Sequence, residues 1–349
     1  MMNDLREDIG GLLMVGIPGP TLEAGTRRVL ERLRVGGVIL FRRNVGTPEE
    51  IAALTRALHE LPSRPHIAID HEGGRVMRLG DPFTPFPAAA VVGRRADTEL
   101  TQKIGQAMGH ELASVGIDID FAPVLDVHSN ALNPVIGDRA FGTDPALVSA
   151  MGIALMRGLL AGGVLPCGKH FPGHGDTEKD SHLELPAVRR TRAQLEHTEL
   201  VPFRAAIAAG MPMLMTAHVL YPALDPDQPA TLSRRILTEL LRHEMGFRGV
   251  LVSDDLEMRA ISDHHGIGAA AVATLQAGAD VLLICQSLDK AEQAAAAIEQ
   301  AVVEAVLERS TLTAAVGHVA RLRRLLKRSS IVVCQLPNAE HRALVRALA

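Results

Sequence analysis

Short runs of apolar, mostly β-branched residues recur along the chain, and they constrain its fold more than any other feature. About eight such runs occur, at 12–17, 36–41, 66–70, 117–127, 164–171, 211–219, 249–255 and 279–285. The runs are apolar on both faces, which is typical of strands in a buried parallel sheet. Helical patterns separate them, so the order predicts right-handed βαβ units and an α/β fold. Eight such units predict a single closed (β/α)8 barrel of the TIM type.

The segments between the runs carry helix signals. Thr47 is a predicted N-cap, and Pro48 follows it at the first helical position with acids in the first turn. A helix is predicted over 191–210, where Gly210 is a stop signal, and another within the alanine-rich 289–310. An open doubly wound sheet is the alternative fold, but no GxGxxG motif follows the first run.

The chain divides into one large unit and a short tail. Residues 1–328 are predicted to form the barrel domain, with terminal helices after about Ser310 packed on it. Residues 329–349 are predicted to be a C-terminal extension that also packs on the barrel. The sequence has no composition shift that would mark a linker, and no internal repeat.

Composition and charge narrow the classes of protein. The formal net charge is −4, and no basic block stands out, so a nucleic-acid partner is not expected. Cys167, Cys285 and Cys334 lie far apart, which fits neither a disulfide framework nor a zinc motif and favours a reducing compartment. The N-terminus lacks the pattern of a signal peptide, and no apolar run reaches the roughly 18 residues of a membrane span. A soluble, cytoplasmic protein, monomeric or weakly dimeric and not membrane-bound, is the expectation.

Aromatic residues are scarce. The chain has no Trp, one Tyr and eight Phe. Long carbohydrate-binding grooves often use exposed aromatic rings as platforms, so a sugar bound by this chain is expected to be a small unit held by hydrogen bonds.

Polar residues close several of the apolar runs. They are Asp70, Asp126, Lys169, His170, His218, Asp254 and Asp255. In a barrel these positions meet at the carboxyl ends of the strands, where active sites of this fold lie. Any one of them alone is as readily a structural polar group, but several at one end favour a pocket. Since neighbours in a strand face opposite ways, only one of Asp254 and Asp255 is expected to line it.

The stretch "KHFPGHGDTEKDSH", 169–182, allows three interpretations: a metal site, an acid/base site or a polar loop. His170 and His174 are four residues apart, but the proline and glycines among them disfavour the helix that a two-histidine metal site would need. Asp180 and His182 are two residues apart, so an extended segment would place both on one side, where the carboxylate could orient the imidazole. Composition alone slightly favours a solvated loop.

Four motifs together resemble glycoside hydrolase family 3, and within it the β-N-acetylglucosaminidases of the NagZ type. They are "KHFPGHGDTEKDSHLELP", "IDHEGGRVMRL", "NPVIGDRAFG" and "GVLVSDDLEM". The resemblance runs from about Leu12 to Arg324 with the motifs in family order. It implies a (β/α)8 barrel, in agreement with the strand count.

The resemblance also implies roles for individual residues. The catalytic set is Asp254 as nucleophile, His182 as acid/base and Asp180 as the residue that orients His182. The sugar-binding set is Asp70, Arg78, Arg139, Lys169 and His170. No metal and no cofactor is implied.

Three further positions follow from the same motifs. Gly73 and Gly74 are expected to form a tight turn after the third strand. Met258 is expected near the acetamido group of the sugar. His71 departs from the family, which usually has Gln there, and either alters a nearby hydrogen bond or is a tolerated exchange.

The expected function is that of a retaining exo-β-N-acetylglucosaminidase that trims cell-wall muropeptides during peptidoglycan recycling. A phosphorylase remains open, because a neutral histidine would not repel phosphate as a carboxylate does. A β-glucosidase of the same family usually takes its acid/base from a further domain. A non-catalytic sugar sensor would be expected to have lost one of the catalytic motifs, and both are intact here.

Overall fold

The protein is a barrel of eight parallel strands surrounded by helices. The computed structural model describes residues 2–178, 181, 184–326, 330–346 and 348. The barrel strands are β1 (Leu13–Gly16), β2 (Gly37–Leu40), β3 (His66–Ile69), β4 (Ile119–Asp120), β5 (Leu165–Phe171), β6 (Met213–Thr216), β7 (Val250–Asp255) and β8 (Val281–Ile284). Each strand pairs with its neighbours in sequence, and β1 pairs with β8 to close the ring. The predicted single α/β barrel is confirmed.

Every barrel strand lies inside one of the apolar runs, and each is shorter than its run. The largest difference is in 117–127, where only Ile119–Asp120 is regular strand. Pro123 has no N–H to donate and interrupts the regular ladder. The pairing then resumes around it, since Lys169 N donates to the Pro123 carbonyl oxygen and Leu125 N to the Lys169 carbonyl oxygen.

Helices connect the strands on the outside of the barrel. Among the described residues they are Met2–Gly11, Ala24–Leu33, Pro48–His59, Ala89–Gly93, Thr98–Ser114, Pro145–Ala161, Arg192–His197, Leu200–Ala208, Arg235–Glu244 (π-type), Arg259–Ser262, Ile267–Ala277, Leu288–Val303, Arg309–Leu325 and Ala339–Arg346. Helix Pro48–His59 begins as predicted: the Thr47 hydroxyl accepts from Glu50 N, and the Glu50 carboxylate accepts from Thr47 N. None of the described helices is long and apolar enough to cross a membrane.

The prediction of a single helix over 191–210 is wrong in one respect. The segment forms two helices, Arg192–His197 and Leu200–Ala208, with Thr198 at φ −128° between them. Pro202 explains the break, because it cannot donate to the carbonyl four residues earlier and its ring would clash there. The predicted stop is confirmed, since Gly210 has φ +87°.

Two antiparallel strand pairs extend the barrel at the carboxyl ends of its strands. His71–Gly73 pairs with Val76–Met77 after β3, and Leu220–Tyr221 pairs with Asp225–Pro229 after β6. The first pair turns at Gly73 and Gly74, with φ +97° and +59°, as expected from the glycines. This turn brings the residues on both sides of it to the mouth of the barrel.

The C-terminal part of the chain lies against the barrel. Helix Arg309–Leu325 buries an apolar face made of Leu312, Ala315, Val319 and Leu322. Helix Ala339–Arg346 follows and contacts helix Thr98–Ser114. The predicted boundary between 328 and 329 falls outside the described residues, and the division at that point stays a prediction.

A buried carboxylate joins this C-terminal part to the strands. Asp280, only 4% exposed at its side chain, lies 2.6 Å from Arg242 Nη2 and 2.7 Å from His318 Nδ1. It also accepts a hydrogen bond from the backbone N of Leu251. One carboxylate therefore ties β7 and the start of β8 to two outer helices.

We expect Asp280→Ala to destabilise the fold by about 3–5 kcal/mol, because it leaves the partly buried Arg242 cation without its partner. Asp263→Ala is the control, since Asp263 lies just after helix Arg259–Ser262 and makes an exposed ion pair with Arg259, and its effect should stay within about 0.5 kcal/mol. Urea unfolding of both variants measures the free energies. Equal decreases in the free energy of unfolding of the two variants would contradict a stabilising role for the buried contacts of Asp280.

Candidate active site

A cavity of roughly 360 Å³ opens at the carboxyl ends of the strands. The described residues of the sequence-predicted site all line it: Asp70, Arg78, Arg139, Lys169, His170 and Asp254. They come from the loop after β3, the short 3-10 turn Gly137–Arg139, and the ends of β5 and β7. The structure therefore brings together residues that are up to 184 positions apart, 70 to 254, at one end of the barrel.

Asp180 and His182, the predicted acid/base pair, lie outside the described residues. Ser181, between them in sequence, is described: it is 2% exposed and lines the cavity. His174 Nε2 lies 3.0 Å from the Ser181 hydroxyl oxygen. The segment that carries the predicted pair thus reaches the cavity at Ser181.

Lys169 lines the cavity and is paired with two carboxylates. Its side chain is 2% exposed, and its Nζ lies 2.7 Å from Asp70 Oδ1 and 2.6 Å from Glu72 Oε1. Burial alone would lower the pKa of Lys169, but the charges of Asp70 and Glu72 outweigh it and raise this pKa above its ordinary value. The ammonium group is therefore charged at neutral pH.

Asp70 is shared between two cations. Besides Lys169, its Oδ2 accepts from Arg78 Nη2 at 3.0 Å. Burial by itself would raise the pKa of Asp70, but Lys169 and Arg78 hold it well below its usual range. Asp70 is an ionised acceptor at neutral pH, and its position suits it to accept hydrogen bonds from sugar hydroxyls.

Glu72 is a site residue that the sequence reasoning missed. Arg139 binds it in a two-pronged ion pair, with Nε 2.8 Å from Oε2 and Nη2 2.7 Å from Oε1. Burial opposes ionisation, but Arg139 and Lys169 lower the pKa of Glu72 to about 2. The signal was present in the motif "DHEGG": Asp70 and Glu72 are two residues apart, a spacing that places both on one face of an extended segment.

His170 is held by a carboxylate behind the cavity wall. Its Nδ1 lies 2.7 Å from Asp126 Oδ2, and its backbone N donates to Asp126 Oδ1. Asp126 is fully buried and also accepts from His174 N at 2.7 Å. Burial would raise the pKa of Asp126, but the contacts with His170 and His174 lower it. Asp126 is therefore ionised, and its carboxylate anchors both residues.

His174 is a neutral residue that contacts both Thr177 and Ser181 within the stretch 169–182. Its Nδ1 lies 3.0 Å from the Thr177 hydroxyl, opposite the Ser181 contact at Nε2. Burial, together with the nearby His170, lowers the pKa of His174 to about 4, so it is uncharged at neutral pH. The residues described from 172 to 178 form no helix, as predicted, and the described residues contain no group of three or more His, Cys, Asp or Glu placed to hold a metal ion.

The expectation that only one of Asp254 and Asp255 lines the cavity is wrong. Both residues line it. From Val252 to Asp255 β7 advances by three residues, while its partner β8 advances by two, from Val281 to Leu283. The extra residue is a β-bulge, which interrupts the alternation on which the expectation rested.

The two carboxylates are held differently. Asp254 Oδ1 accepts from Asp255 N at 2.8 Å, and Asp254 N donates to the Thr216 hydroxyl at 3.3 Å. Asp255 Oδ1 accepts from the backbone N of Glu257 and of Cys285. Asp255 thus fastens the end of β7 to the end of β8, while Asp254 is oriented by β6 and by its own neighbour.

His218 and His71 do not line the cavity. His218 is fully buried, with Nδ1 2.8 Å from the Thr231 hydroxyl and Nε2 donating to the Asp255 carbonyl oxygen. His71 is 1% exposed; its backbone N donates to Asp120 Oδ1, and its ring contacts Phe86 edge to face. Burial and then the Arg78 charge lower the pKa of His71 to about 3, so its ring is neutral at neutral pH.

The comparison with known proteins agrees with this geometry. Residues 4–322 match the family model described as the glycosyl hydrolase family 3 N terminal domain. A β-hexosaminidase of Chromobacterium violaceum is 45% identical over 296 residues, which cover 82% of each chain. A β-hexosaminidase of Nitrosomonas eutropha is 42% identical over 81% of this chain and 83% of its own.

Solved structures show the same fold. A family 3 β-N-acetylglucosaminidase from Paenibacillus sp. str. FPU-7 superposes with a TM-score of 0.94 at 38% identity, over 99% of this chain and 68% of that one. NagZ from Neisseria gonorrhoeae, in complex with N-trifluoroacetyl-D-glucosamine, gives a TM-score of 0.76 at 36% identity, over 89% and 98% of the two chains.

The barrel and its charged cavity are therefore those of a glycoside hydrolase, and the chain belongs to glycosyl hydrolase family 3. Within the family it is similar to the β-hexosaminidases and to NagZ, so the resemblance predicted from the motifs is confirmed.

The site generates a prediction about pH. Burial, with the negative charges of Glu257 and Asp254, raises the pKa of Asp255 to about 6, whereas an unfolded Asp titrates near 3.9. Because the folded pKa is the higher one, the neutral form favours folding below about pH 4, and this contribution is lost as pH rises through about 6. The difference of about two units between the folded and unfolded pKa values of Asp255 corresponds to up to roughly 3 kcal/mol in the free energy of unfolding.

We expect Asp255→Asn, which keeps the side-chain oxygen but cannot ionise, to gain stability relative to the native protein between about pH 4 and pH 6, with no further gain above. Urea unfolding at each pH measures the difference, with the exposed Asp263→Asn as control. A difference that does not vary with pH would contradict the raised pKa.

Proposed function

We propose that this protein is a retaining exo-β-N-acetylglucosaminidase that removes a terminal β-linked N-acetylglucosamine. The observation that carries the proposal is the cavity itself, in which Asp254 stands beside the buried ionic cluster of Asp70, Glu72 and Lys169. The similarity to β-hexosaminidases, and to a NagZ whose structure contains an N-acylated glucosamine analogue, supports the acetamido sugar as substrate.

The ionic cluster supplies fixed partners for sugar hydroxyls. Asp70 is ionised and accepts hydrogen bonds, while Arg78 and Lys169 donate them. Their mutual ion pairs hold these groups before substrate arrives, so few side chains need to be ordered on binding. His170, fixed by Asp126, adds another polar group on the cavity wall.

The proposed reaction is a double displacement. In the first step the Asp254 carboxylate attacks the anomeric carbon, and the departing oxygen takes a proton from His182. In the second step His182 removes a proton from water, whose oxygen attacks the same carbon and releases Asp254. Asp180 is proposed to hold the imidazole in the required tautomer. Support for the roles of His182 and Asp180 comes from the family motif and from the position of Ser181, between them in sequence, in the cavity wall.

The size of the cavity supports an exo-acting enzyme. Its roughly 360 Å³ lies at the low end of ligand cavities, which span about 300–1,000 Å³. Phe41 is among its lining residues and lies under the Arg43 guanidinium at 4.7 Å, so its face is already occupied. Met258 also lines the cavity and is proposed to contact the acetamido group. Cell-wall muropeptides as natural substrate, a cytoplasmic location and a monomer or weak dimer belong to the same proposal.

We expect hydrolysis of 4-nitrophenyl β-N-acetylglucosaminide, at least about tenfold faster in kcat/KM than of the matching β-glucoside, because only the former carries the acetamido group. Initial rates in phosphate-free buffer measure this preference. Equal or reversed preference would point to a β-glucosidase. Release of sugar phosphate only after phosphate is added would point to a phosphorylase, and sugar binding without turnover to a sensor.

We expect Asp254→Asn to lower kcat by about 10³-fold or more, because an amide cannot act as the nucleophile. His182→Ala should slow both glycosylation and deglycosylation, and a substrate with a better leaving group should relieve only the first. Steady-state and single-turnover rates measure the two steps, with Asp263→Asn as a control at an exposed carboxylate. Full turnover by Asp254→Asn would exclude the proposed mechanism.

A further inference from the structure

The C-terminal helix Ala339–Arg346 is tied to the loop that precedes helix Ala89–Gly93. His341 Nδ1 lies 2.8 Å from Glu111 Oε1, and the two side chains are 13% and 2% exposed. Next to it, Arg342 Nη2 donates to Asp81 Oδ1 at 2.8 Å and to the Pro82 carbonyl oxygen at 3.2 Å. The tail of the chain therefore contacts the loop directly through Arg342, while His341 contacts Glu111 of the neighbouring helix Thr98–Ser114.

Glu111 connects this tail to the loop. Its Oε2 accepts from Thr84 N at 2.9 Å, and its Oε1 accepts from the Thr84 hydroxyl at 2.6 Å. Thr84 and Glu111 are both buried. A buried carboxylate is costly unless its donors are in place, so Glu111 fixes His341 and Thr84 relative to each other.

From Thr84 the contacts continue to the glycine turn. Phe86 N donates to the Thr84 carbonyl oxygen at 2.9 Å, and Gly74 N donates to the Phe86 carbonyl oxygen at 2.8 Å. A Cβ added at Gly73 would lie 2.3 Å from the Pro87 carbonyl oxygen. The segment 84–87 is therefore in close backbone contact with the Gly73–Gly74 turn and leaves it little room to shift.

The Gly73–Gly74 turn divides the cavity-lining residues of the segment 70–78 into two groups. Asp70 and Glu72 come before it, and Arg75 and Arg78 come after it. A shift of the turn would move the Glu72 carboxylate away from Lys169, and it would move Arg78 away from Asp70. The geometry of the sugar-binding groups thus depends on a turn that is supported from outside the cavity.

We propose that the His341–Glu111 pair positions the sugar-binding segment 70–78 from outside the cavity. Both are positioning residues, since neither lines the cavity or touches the reacting atoms. That this segment binds sugar rests on the proposed function. The contacts from His341 through Glu111 and Thr84 to the segment are independent of it. The C-terminal segment is then a functional part of the enzyme rather than an appendage.

The test is His341→Ala in the full chain. We expect KM for 4-nitrophenyl β-N-acetylglucosaminide to rise about threefold to tenfold while kcat changes less than about twofold, because Asp254 is held by other strands. His341→Asn should restore KM, since the amide nitrogen of Asn takes the place of Nδ1. Glu340→Ala is the matched control, an exposed residue one position earlier in the same helix, and should leave both constants unchanged.

Hydrogen exchange tests the contact route without substrate. In His341→Ala the amides of Gly74, Phe86 and Thr84 should exchange faster than in the native protein, while those of β7 should not. Thermal melting establishes that each variant is folded at the assay temperature.

The outcomes separate the two proposals. If native enzyme is active but His341→Ala keeps the KM and the exchange rates of Glu340→Ala, the positioning role is wrong. If Asn fails to restore a raised KM, the hydrogen bond is not the cause and the proposal is likewise overturned. If the native protein hydrolyses no N-acetylglucosaminide, the proposed function fails. Faster exchange at Gly74 would then still support positioning of the segment, and unchanged exchange would refute it.

Discussion

The charge of Lys169 is the interaction on which the rest of the site depends. An ammonium ion removed from water is costly, and here two carboxylates compensate it, each within 2.7 Å. The lysine comes from β5, whereas Asp70 and Glu72 come from the loop after β3. The pairing is possible only when β3, β4 and β5 stand side by side in the closed barrel. The site is therefore complete only where this part of the barrel is assembled.

Two local irregularities let the barrel present consecutive polar residues to one cavity. In β5 the chain advances three residues, from Gly168 to Phe171, while β6 advances two, from Leu214 to Thr216. Lys169 and His170 lie in that interval, and both line the cavity. The same count of three against two occurs between β7 and β8, where both aspartates line it. A regular strand would have turned one member of each pair into the surrounding helices.

The sequence predicted the barrel well because its main signal is local. Each buried strand needs an apolar run, and each run is visible without knowledge of its partners. The positions of Asp70, Lys169 and Asp254 followed from the rule that polar strand ends meet at one face of a barrel. The Pro202 break was also readable in principle, because proline excludes a continuous helix whatever surrounds it.

Other features of the site could be recognised only in the folded structure. The Glu72–Arg139 ion pair joins residues 67 positions apart, and no pattern in either segment specifies its partner. The bulge in β7 depends on register against β8, which a single strand does not encode. The contact of His341 with Glu111 spans 230 positions, and the tail around His341 has no motif that would have indicated it.

The bulge in β7 bears on how this scaffold can be recombined. Barrels of this type are attractive for exchanging strand-and-helix modules between relatives, because each module is nominally equivalent. The end of β7 is not equivalent to a regular strand, since Asp255 Oδ1 reaches across to the backbone N of Cys285 in the module that follows. A chimera joined between β7 and β8 would take the carboxylate from one parent and the backbone amide from the other, so the hydrogen bond would depend on the match between the two modules. Crossover points for such chimeras are better placed within the outer helices, with β7 and β8 inherited from the same parent.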